Sequence, residues 1–376
     1  PALKHIRGEE KMNFFEEHGI TEYINAHDTY TVYGGSRMAE NTLKAMEEVS
    51  RHFVDFSQMQ EMLGRKTAEL THNEGAFFTN GASGGLLLAA CVCMARGSAY
   101  LYSRLPDTSE TVNEIIVMRA QRNAYDAALI SSGAKIVEIG DADETLEFEL
   151  EGRINEKTAA IFYFASTLYQ RGSMSLEDTI AIARKHNIPV VVDAAAQLPP
   201  TENLWKYTSM GADMVIFSGG KTLCGPQDSG LILGKREWIE DCKRFGAPAH
   251  GICRASKTSR EAMAGLYTAL NNFLAVDDEQ RFAELMNVNQ KIEEHVRDCD
   301  SLLRSEIIPH GPVGQYYPRL FLYLKQDADA AMVVQKMRDE HIYIGLEKEN
   351  NAVYISPLNL NGEEVIRVME ALKLYL

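Results

Sequence analysis

The feature that most constrains the fold is a regular alternation of short apolar strands and helical segments between residues 75 and 234. The strands are brief and rich in β-branched residues, and the segments between them carry apolar residues at helical spacing. Parallel strands need a crossover connection, which is usually a helix. The order therefore predicts an α/β fold with a mostly parallel, covered sheet. The predicted strands after an initial one at 75–80 are "EIIVMRA" (114–120), "AKIVEIG" (134–140), "TAAIFYFAS" (158–166), "IPVVVDAA" (188–195), "DMVIFSGG" (213–220) and "GLILG" (230–234).

The pattern changes near residue 246, where two long charged helices are predicted at 259–276 and 278–303. A strand, a helix, another strand and a final helix follow, which predicts a second, smaller α/β domain. We expect an N-terminal arm over 1–45, a large domain over 46–245 and a small domain over 246–376 that includes the connecting helix. Thr258 and Glu261 in "TSRE" predict a capping box at the start of that helix.

Composition restricts the class of protein. With 45% hydrophobic and 24% charged residues, the 376-residue chain resembles an average soluble globular protein. Its longest apolar runs are far shorter than the roughly 20 residues that a membrane span needs. The N-terminus is charged and has no apolar signal core, so a cytoplasmic location is predicted. A net charge of −15 argues against a broad nucleic-acid surface, which requires clustered cations.

The six cysteines are scattered, and no metal site is predicted. Cys91 and Cys93 are close in sequence but stand two apart in a predicted helix, so their side chains point to different sides. Buried free thiols are the favoured interpretation.

Three positions suggest chemistry. Asp193 ends an apolar strand and Lys221 follows another, and ligands bind at the carboxyl ends of parallel strands. Residues 79–85, "TNGASGG", open a helix and can direct backbone N–H groups at an anion. Each has an ordinary alternative, because a loop lysine is usually solvated, Asp193 could cap a helix, and glycine turns are common.

Taken together, the three positions match the needs of pyridoxal phosphate (PLP). This cofactor needs an amine, a carboxylate for its ring nitrogen and an anion site for its phosphate. Lys221 would supply the amine, since a desolvated lysine loses its proton more readily and becomes nucleophilic. Asp193 would hold the ring nitrogen protonated, and the turn at 81–84 would bind the phosphate with help from the helix dipole.

The sequence resembles the fold type I PLP-dependent enzymes, within the branch related to bacterial selenocysteine synthase. The resemblance covers nearly the whole chain, and "FSGGKTLCGPQDSGLILG" (217–234) is its most specific segment; the others are "YINAHDTYTVYGGSRM" (23–38), "TNGASGGLLLAAC" (79–91), "RNAYDAALISSGAKIVEIG" (122–140), "VVVDAAAQLPP" (190–200) and "ISPLNL" (355–360). It implies a large cofactor domain, a small C-terminal domain, and a homodimer or higher homo-oligomer with active sites at subunit interfaces.

The resemblance also assigns roles. It implies that Lys221 is the Schiff-base lysine and Asp193 the pyridinium partner. The other implied cofactor residues are Gly81, Ala82, Ser83 and Gly84 in the phosphate loop, Ser218 near the phosphate, Gln197 near the phenolic oxygen, and a ring-stacking residue from 121–125, for which Gln121 stands where relatives often have histidine.

A substrate carboxylate or phosphate would need cations, and the arginine fork matches both groups. Most arginines of any enzyme lie on its surface, so each candidate also has that alternative. The predicted substrate residues are Ser36, Arg37, Arg122, Arg254, Lys257 and Arg319. Ser36 is included because its "YGGS" turn matches an arm that covers active sites in relatives, although the turn could also be a simple loop.

The reaction is predicted from the same resemblance. The family-like segment begins near residue 19, which leaves no room for a domain that binds seryl-tRNA, and the charge is acidic, so a small-molecule substrate is favoured. The chain looks similar to D-glucosaminate-6-phosphate ammonia-lyases, which implies a PLP-dependent lyase that removes water and ammonia from a 2-amino sugar acid by α,β-elimination. The alternatives are a related aldolase, a β-eliminating lyase for another amino acid, or a transferase that acts on seryl-tRNA.

Overall fold

The structure is a computed structural model that describes residues 13–376. Its helices are α1 (Phe14–His18), α2 (Glu40–Ser50), α3 (Phe56–Leu70), α4 (Gly81–Ala95), α5 (Ala99–Arg104), α6 (Asp126–Ser131), α7 (Glu147–Arg153), α8 (Leu176–Lys185), α9 (Asn203–Met210), α10 (Arg236–Phe245), α11 (Arg260–Leu274), α12 (Asp278–Val296), α13 (Ala330–Asp339) and α14 (Gly362–Tyr375). Short 3-10 helices cover Thr31–Tyr33, Arg119–Gln121, Thr167–Gly172 and Ile252–Ser256.

The strands are β1 (Ile24–Asn25), β2 (Gly75–Asn80), β3 (Glu114–Met118), β4 (Lys135–Ile139), β5 (Thr158–Phe164), β6 (Val190–Asp193), β7 (Met214–Ser218), β8 (Ser229–Gly234), β9 (Leu302–Ile308), β10 (Arg319–Leu324), β11 (Ile342–Tyr343), β12 (Gly345–Glu347) and β13 (Ala352–Ile355). Among the described helices, none is long and apolar enough to cross a membrane.

A seven-stranded sheet forms the centre of the larger part of the molecule. Its strand order is β2-β8-β7-β6-β5-β3-β4, and β8 alone of these seven runs antiparallel to its neighbours. The predicted mostly parallel α/β sheet is therefore confirmed. Since β2, β3, β5, β6 and β7 point the same way, their carboxyl ends lie along one edge, where ligands bind in such sheets.

Alternation within the strands builds a core on each face of this sheet. Val190 and Val192 of β6 belong to one buried cluster, and Val191 belongs to the other. Successive side chains of a strand point to opposite faces, so an unbroken apolar run is what a strand covered on both sides requires. α4 is buried along most of its length from Gly84 to Ala95, which explains why its sequence is apolar all round.

A second compact unit contains an antiparallel sheet of order β12-β13-β10-β9 and a two-stranded parallel pair of β1 with β11. Its own buried cluster includes Leu320 and Leu322 of β10 together with Val353 and Ile355 of β13. The predicted smaller domain with a strand at 319–325 is thus present as an independent core.

The division of the chain differs from the predicted boundaries. One unit comprises the described residues up to Asp28 with Glu284–Ile308 and Pro318–Leu376, and the other comprises Thr29–Ala283 with Pro309–Tyr317. The predicted connecting helix α11 belongs to the larger unit because it packs against α2, α3 and β8. The predicted arm over 1–45 is split at Asp28, and its first twelve residues lie outside the described part of the chain.

Two local predictions need correction. The N-cap of α11 is Ser259, whose hydroxyl accepts from the Ala262 N–H at 3.0 Å, and Thr258 lies one residue outside the helix. The sequence "TSRE" offers two adjacent hydroxyl residues, and only the tertiary fold selects between them. α12 ends at Val296, and the residues after 301 that were predicted to be helical enter β9 instead.

Candidate active site

The loop that carries Lys221 connects the carboxyl end of β7 to β8. Backbone hydrogen bonds close it: the Gly219 N–H donates to the Ser229 carbonyl and the Gly225 N–H to the Gly219 carbonyl, each at 2.8 Å. The Cys224 N–H also donates to the carbonyl of Lys221 at 2.9 Å. A lysine on a loop fixed in this way keeps a defined position at the edge of the sheet, which a solvated loop lysine would not.

Asp193 is the last residue of β6, the neighbour of β7, and its side chain is 9% exposed. The Ala195 N–H donates to its Oδ1 at 2.9 Å. Burial raises the pKa of the Asp193 carboxyl, while this hydrogen bond and the charge of Lys221 oppose the rise. The two residues are therefore close enough to interact electrostatically, and a cation beside Asp193 would favour its charged form.

The first turn of α4 contains the predicted phosphate loop. Gly81 has φ of +63°, a conformation that L side chains rarely adopt, so glycine is favoured there. Asn80 caps the helix without a side-chain hydrogen bond, which leaves first-turn N–H groups available to an anion. Ala82 is half-buried, Ser83 is exposed and Gly84 is buried, so this turn presents both backbone and a hydroxyl at the helix start.

Two hydroxyl residues near this turn were missed by the sequence analysis. A Cβ added to Gly84 would lie 3.3 Å from the Cβ of Ser256, so the 252–258 segment borders the helix start. Thr258 lines the same small cavity as Thr79, Gly84 and Ser256, and its Oγ1 is buried without a hydrogen-bond partner in the described part of the chain. The sequence predicts only a helix cap for Thr258, because no sequence pattern distinguishes a capping residue from one that lines a cavity.

The residues present fit PLP. A buried carboxylate at the end of β6 with a raised pKa suits a cationic ring nitrogen, which would satisfy its charge. The first turn of α4, which has no side-chain cap, suits an anionic group such as the cofactor phosphate. Lys221 provides the amine on the adjacent loop. The fold and these residues together define a fold type I PLP-dependent enzyme.

Gln121 stands at the end of the Arg119–Gln121 helix and is fully buried. Its Oε1 accepts from the Phe164 N–H at 2.9 Å, and its Nε2 donates to the Ser173 hydroxyl at 3.1 Å. These contacts join the ends of β3 and β5. They favour a structural role, so the stacking role that the resemblance implied for Gln121 stays a prediction without support from its contacts.

The structure brings a tyrosine to this edge that the sequence analysis did not single out. Tyr169 follows β5, and burial, together with the charges of Asp193 and Asp126, raises the pKa of its phenol, while a hydrogen bond with Asn123 opposes the rise. Asn123 lies in the 121–125 region, from which the resemblance predicts a ring-stacking residue. A single tyrosine after a strand carries no distinctive pattern, which is why only the fold reveals it.

Gln197 and Ser218 also lie at the carboxyl edge. Gln197 is 9% exposed, and its Nε2 donates to the Val313 carbonyl at 3.3 Å. Ser218 ends β7, is half-buried, and its N–H donates to the Ala195 carbonyl at 3.4 Å. Ser218 lies near Asp193 because β7 pairs with β6, and Gln197 follows Asp193 by four residues. Their cofactor contacts remain predictions.

The predicted substrate residues fall into different environments. Ser36 donates from Oγ to the Gly220 carbonyl at 3.1 Å, which brings the "YGGS" turn to the lysine loop, and Arg37 beside it is exposed. Arg122 forms ion pairs with Asp126 and with Glu138, the latter at 2.9 Å. Since two carboxylates already hold this guanidinium, its contacts favour a structural role over substrate binding.

The remaining candidates are Arg254, Lys257 and Arg319. Arg254 is half-buried and Lys257 exposed, both in the segment that borders the start of α4. Arg319 begins β10 in the smaller unit, where its guanidinium lies 5.2 Å from the ring centroids of both Phe321 and Tyr354. Their roles in substrate binding stay predictions.

The chain is similar to known proteins over most of its length. The family model described as SelA: L-seryl-tRNA selenium transferase matches residues 57–310. The chain is 33% identical over 285 residues to D-glucosaminate-6-phosphate ammonia lyase of Salmonella typhimurium (strain 14028s / SGSC 2262), which covers 74% of this chain and 75% of that protein. It is 30% identical over 381 residues to 5'-C-glycyluridine monooxygenase-decarboxylase of a Streptomyces species, over 96% of this chain and 92% of that one.

A solved structure of D-glucosaminate-6-phosphate ammonia-lyase superimposes with a TM-score of 0.85 at 28% identity, over 97% of this chain and 98% of that chain. The family match and the two relatives cover more than half of the chain. The protein belongs to the SelA family of fold type I PLP-dependent enzymes.

Proposed function

We propose that the protein is a PLP-dependent lyase that acts on a 2-amino sugar acid of the D-glucosaminate 6-phosphate type. The observation that carries the proposal is the pairing of Lys221 with a buried Asp193 at the carboxyl edge of the sheet. The 33% identity to an ammonia lyase over three quarters of both chains supports the choice of reaction. The expected products are a 2-keto-3-deoxy acid and ammonia.

PLP, when bound, accepts the electron pair that remains at the substrate α-carbon after its proton leaves. Asp193 would favour this by holding a proton at the ring nitrogen. The Lys221 amine would take the α-proton as general base. Its loop is held by backbone hydrogen bonds, so the base has a fixed starting position.

The reaction releases one water and consumes one water, so the atoms balance. The α-proton moves to the Lys221 amine, and the β-hydroxyl departs with a proton as water. The resulting enamine tautomerises to an imine, which takes up one water and releases ammonia. The net reaction is loss of ammonia from a 2-amino-3-hydroxy acid, so no oxidant or metal is needed.

Recognition of an anionic substrate would depend on cations near the start of α4. Arg254 and Lys257 lie in the 252–258 segment, next to Gly84. The net charge of −15 gives no general attraction for an anion, so local cations must provide it. These two residues are therefore the first candidates for the carboxylate or phosphate of the substrate.

The test is the visible absorption spectrum of the purified protein with PLP, before and after addition of D-glucosaminate 6-phosphate, with keto acid assayed in the same sample. We expect a band from bound PLP that changes while keto acid accumulates. Lys221→Ala should abolish turnover. A band that does not respond to this substrate would overturn the proposed reaction, and absence of any band would overturn the PLP site.

The relative from Streptomyces supports a second candidate, because that match covers nearly the whole of both chains. The second candidate is a PLP-dependent reaction that consumes oxygen and releases carbon dioxide. An oxygen electrode distinguishes the two, since ammonia elimination consumes no oxygen. Oxygen uptake with an amino acid substrate, without keto-acid formation from the sugar acid, would favour the second candidate.

A further inference from the structure

The peptide carbonyl immediately before Lys221 has an unusual set of donors. The Ser36 hydroxyl donates to the Gly220 carbonyl at 3.1 Å. With the amide of Gln227 oriented to satisfy its neighbours, Nε2 donates to the same carbonyl at 3.3 Å. Two side chains from separate segments thus hold the peptide group that leads into the lysine.

Gln227 also connects this peptide to the turn at 31–36. In the same orientation its Nε2 donates to the Gly34 carbonyl at 3.1 Å, and its Oε1 accepts from the Thr31 hydroxyl at 3.1 Å. One side-chain amide therefore bridges the lysine loop and the turn, and both of its ends are satisfied. We call Gln227, Ser36 and the turn at 31–36 the lysine clamp.

The segments of the clamp approach each other so closely that positions 35 and 220 leave no room for a side chain. Gly35 has φ of +78°, and a Cβ there would lie 2.7 Å from the Gly220 carbonyl oxygen and would overlap the Gln227 amide. A Cβ on Gly220 would lie 2.6 Å from the Cα of Gln227. Contacts below 3.0 Å to backbone cannot be relieved by a rotamer change, so glycine at both positions allows Gln227 to reach across.

The other side of Lys221 is held as well. The Thr222 hydroxyl donates to the Leu198 carbonyl at 2.8 Å, and Leu198 lies five residues beyond Asp193. The peptide before Lys221 is therefore held by two side chains, and the residue after Lys221 is held by its own hydroxyl.

We infer that Gln227 and Ser36 are positioning residues that orient Lys221 toward its partner at the sheet edge. The inference rests on the proposed function, in which the Lys221 amine binds PLP and then moves a proton. Its physical basis is that a lysine side chain has four rotatable bonds, so its reach is defined only if its Cα and the preceding peptide are fixed. Loss of the clamp should change the lysine geometry more than it changes the fold.

The experiment compares four variants with the wild-type protein, using PLP alone as the probe. Gln227→Ala removes the bridge, and Gln227→Glu keeps its size but can no longer donate to the two carbonyls. Ser36→Ala and Ser36→Thr form a matched pair, since threonine retains the hydroxyl. Gln335→Ala is the control, because Gln335 is an exposed residue on α13 whose side chain donates a hydrogen bond to Asp339 within the same helix.

The readouts are the dissociation constant for PLP, the visible circular dichroism of the bound cofactor, and the pH midpoint of its absorption band. We expect Gln227→Ala to weaken PLP binding by roughly tenfold, the factor that corresponds to loss of one to two hydrogen bonds. Its visible dichroism and pH midpoint should shift, and kcat should fall more than KM rises. Gln227→Glu should be affected more strongly, and Ser36→Thr should resemble the wild type while Ser36→Ala should not.

The inference is wrong if Gln227→Ala folds normally and matches Gln335→Ala in PLP affinity, dichroism and pH midpoint. If Gln227→Ala fails to fold, the Ser36 pair decides: equal dichroism and pH midpoint for the alanine and threonine variants would overturn the clamp. These results are distinct from failure of the proposed function, in which the wild type itself would show no PLP band.

Discussion

At the scale of single residues, Asp193 illustrates a conflict between stability and function. Its carboxyl is buried at the end of β6 with a raised pKa, and desolvation is the largest cause. Since its folded pKa lies above its unfolded value, the carboxyl contributes stability that is present below the unfolded value and is lost as pH rises through the folded pKa. At neutral pH the buried, charged carboxylate therefore lowers the free energy of unfolding of the cofactor-free protein.

We predict that Asp193→Asn stabilises the cofactor-free protein at neutral pH and nearly abolishes activity. Asparagine can still accept from the Ala195 N–H, and it removes the charge. The loss of the carboxylate should lower kcat by on the order of 100-fold or more, as removal of an electrostatic partner does elsewhere. Thermal unfolding from pH 4 to 8 without PLP should show the advantage of the variant growing with pH; a constant or shrinking difference would contradict the assignment.

A second residue prediction contrasts two arginines. Arg122 is held by Asp126 and Glu138, whereas Arg254 forms no such ion pair within the part of the chain that the structure describes. Arg254→Gln should raise KM about 10- to 100-fold, since a hydrogen bond to a charged group contributes about 1.5–3 kcal/mol. Arg122→Gln should lower the free energy of unfolding by about 1 kcal/mol or less, because solvent screens its partly exposed ion pairs. It should leave KM unchanged. Steady-state kinetics and thermal unfolding of both variants test this, and the reverse pattern would refute it.

At the scale of elements, α4 is a buried core helix whose first turn is the proposed phosphate site. Its first turn is glycine-rich for two different reasons. Gly81 needs its positive φ, whereas a Cβ on Gly85 would lie 2.9 Å from Cγ2 of Ile216 on β7. The backbone conformation at Gly81 shapes the proposed anion site, and the absence of a Cβ at Gly85 lets the helix pack on the sheet.

We predict that these two glycines respond differently to substitution by alanine. Gly81→Ala should cost about 1–2 kcal/mol of backbone strain and weaken PLP binding. Gly85→Ala should cost about 1–3 kcal/mol through overpacking, with a smaller change in PLP affinity per unit of stability lost. Gly152→Ala in α7 is the control, because its added Cβ meets nothing within 4 Å, and alanine there should stabilise by about 0.5–1 kcal/mol. Unfolding curves and PLP titration measure both quantities, and equal effects at 81 and 85 would argue against separate roles.

At the scale of the whole molecule, the larger unit contains the proposed cofactor residues. Lys221, Asp193 and the start of α4 all lie in the unit of Thr29–Ala283 and Pro309–Tyr317, around one sheet with a buried cluster on each face. A ligand that binds only the folded state stabilises that state by mass action. PLP binding should therefore raise the stability of this unit.

We predict that PLP at about 100 times its dissociation constant stabilises the protein by about 2.7 kcal/mol. For a unit of this size each kcal/mol corresponds to roughly 2–4 °C, so the midpoint of thermal unfolding should rise by about 5–10 °C. The rise should depend on PLP concentration and be much smaller for Lys221→Ala. Scanning calorimetry or dye-based unfolding measures it, and an equal rise in that variant would contradict a covalent role for Lys221.

Much of the fold could be predicted because local pattern and tertiary environment agree. Strands such as 190–193 are apolar throughout, as a sheet covered on both faces demands. The placement of Lys221, Asp193 and residues 81–84 at one edge of the sheet could be predicted because each follows or ends a strand, and parallel strands bring their ends to one edge.

Other features were decided only by the tertiary structure, because they depend on which distant segments meet. Ser259 rather than Thr258 caps α11, and the free hydroxyl of Thr258 enters the cavity beside Gly84. Gln121 binds the Phe164 N–H, a contact between residues 43 apart in sequence. Thus the sequence by itself determined the alternating α/β fold, because hydrophobic periodicity distinguishes strands from helices. It also determined that Lys221, Asp193 and the glycines at 81 and 84 lie at strand ends. The tertiary structure decided the unit boundaries and the hydrogen-bond partners, since long-range contacts leave no periodic trace in the chain.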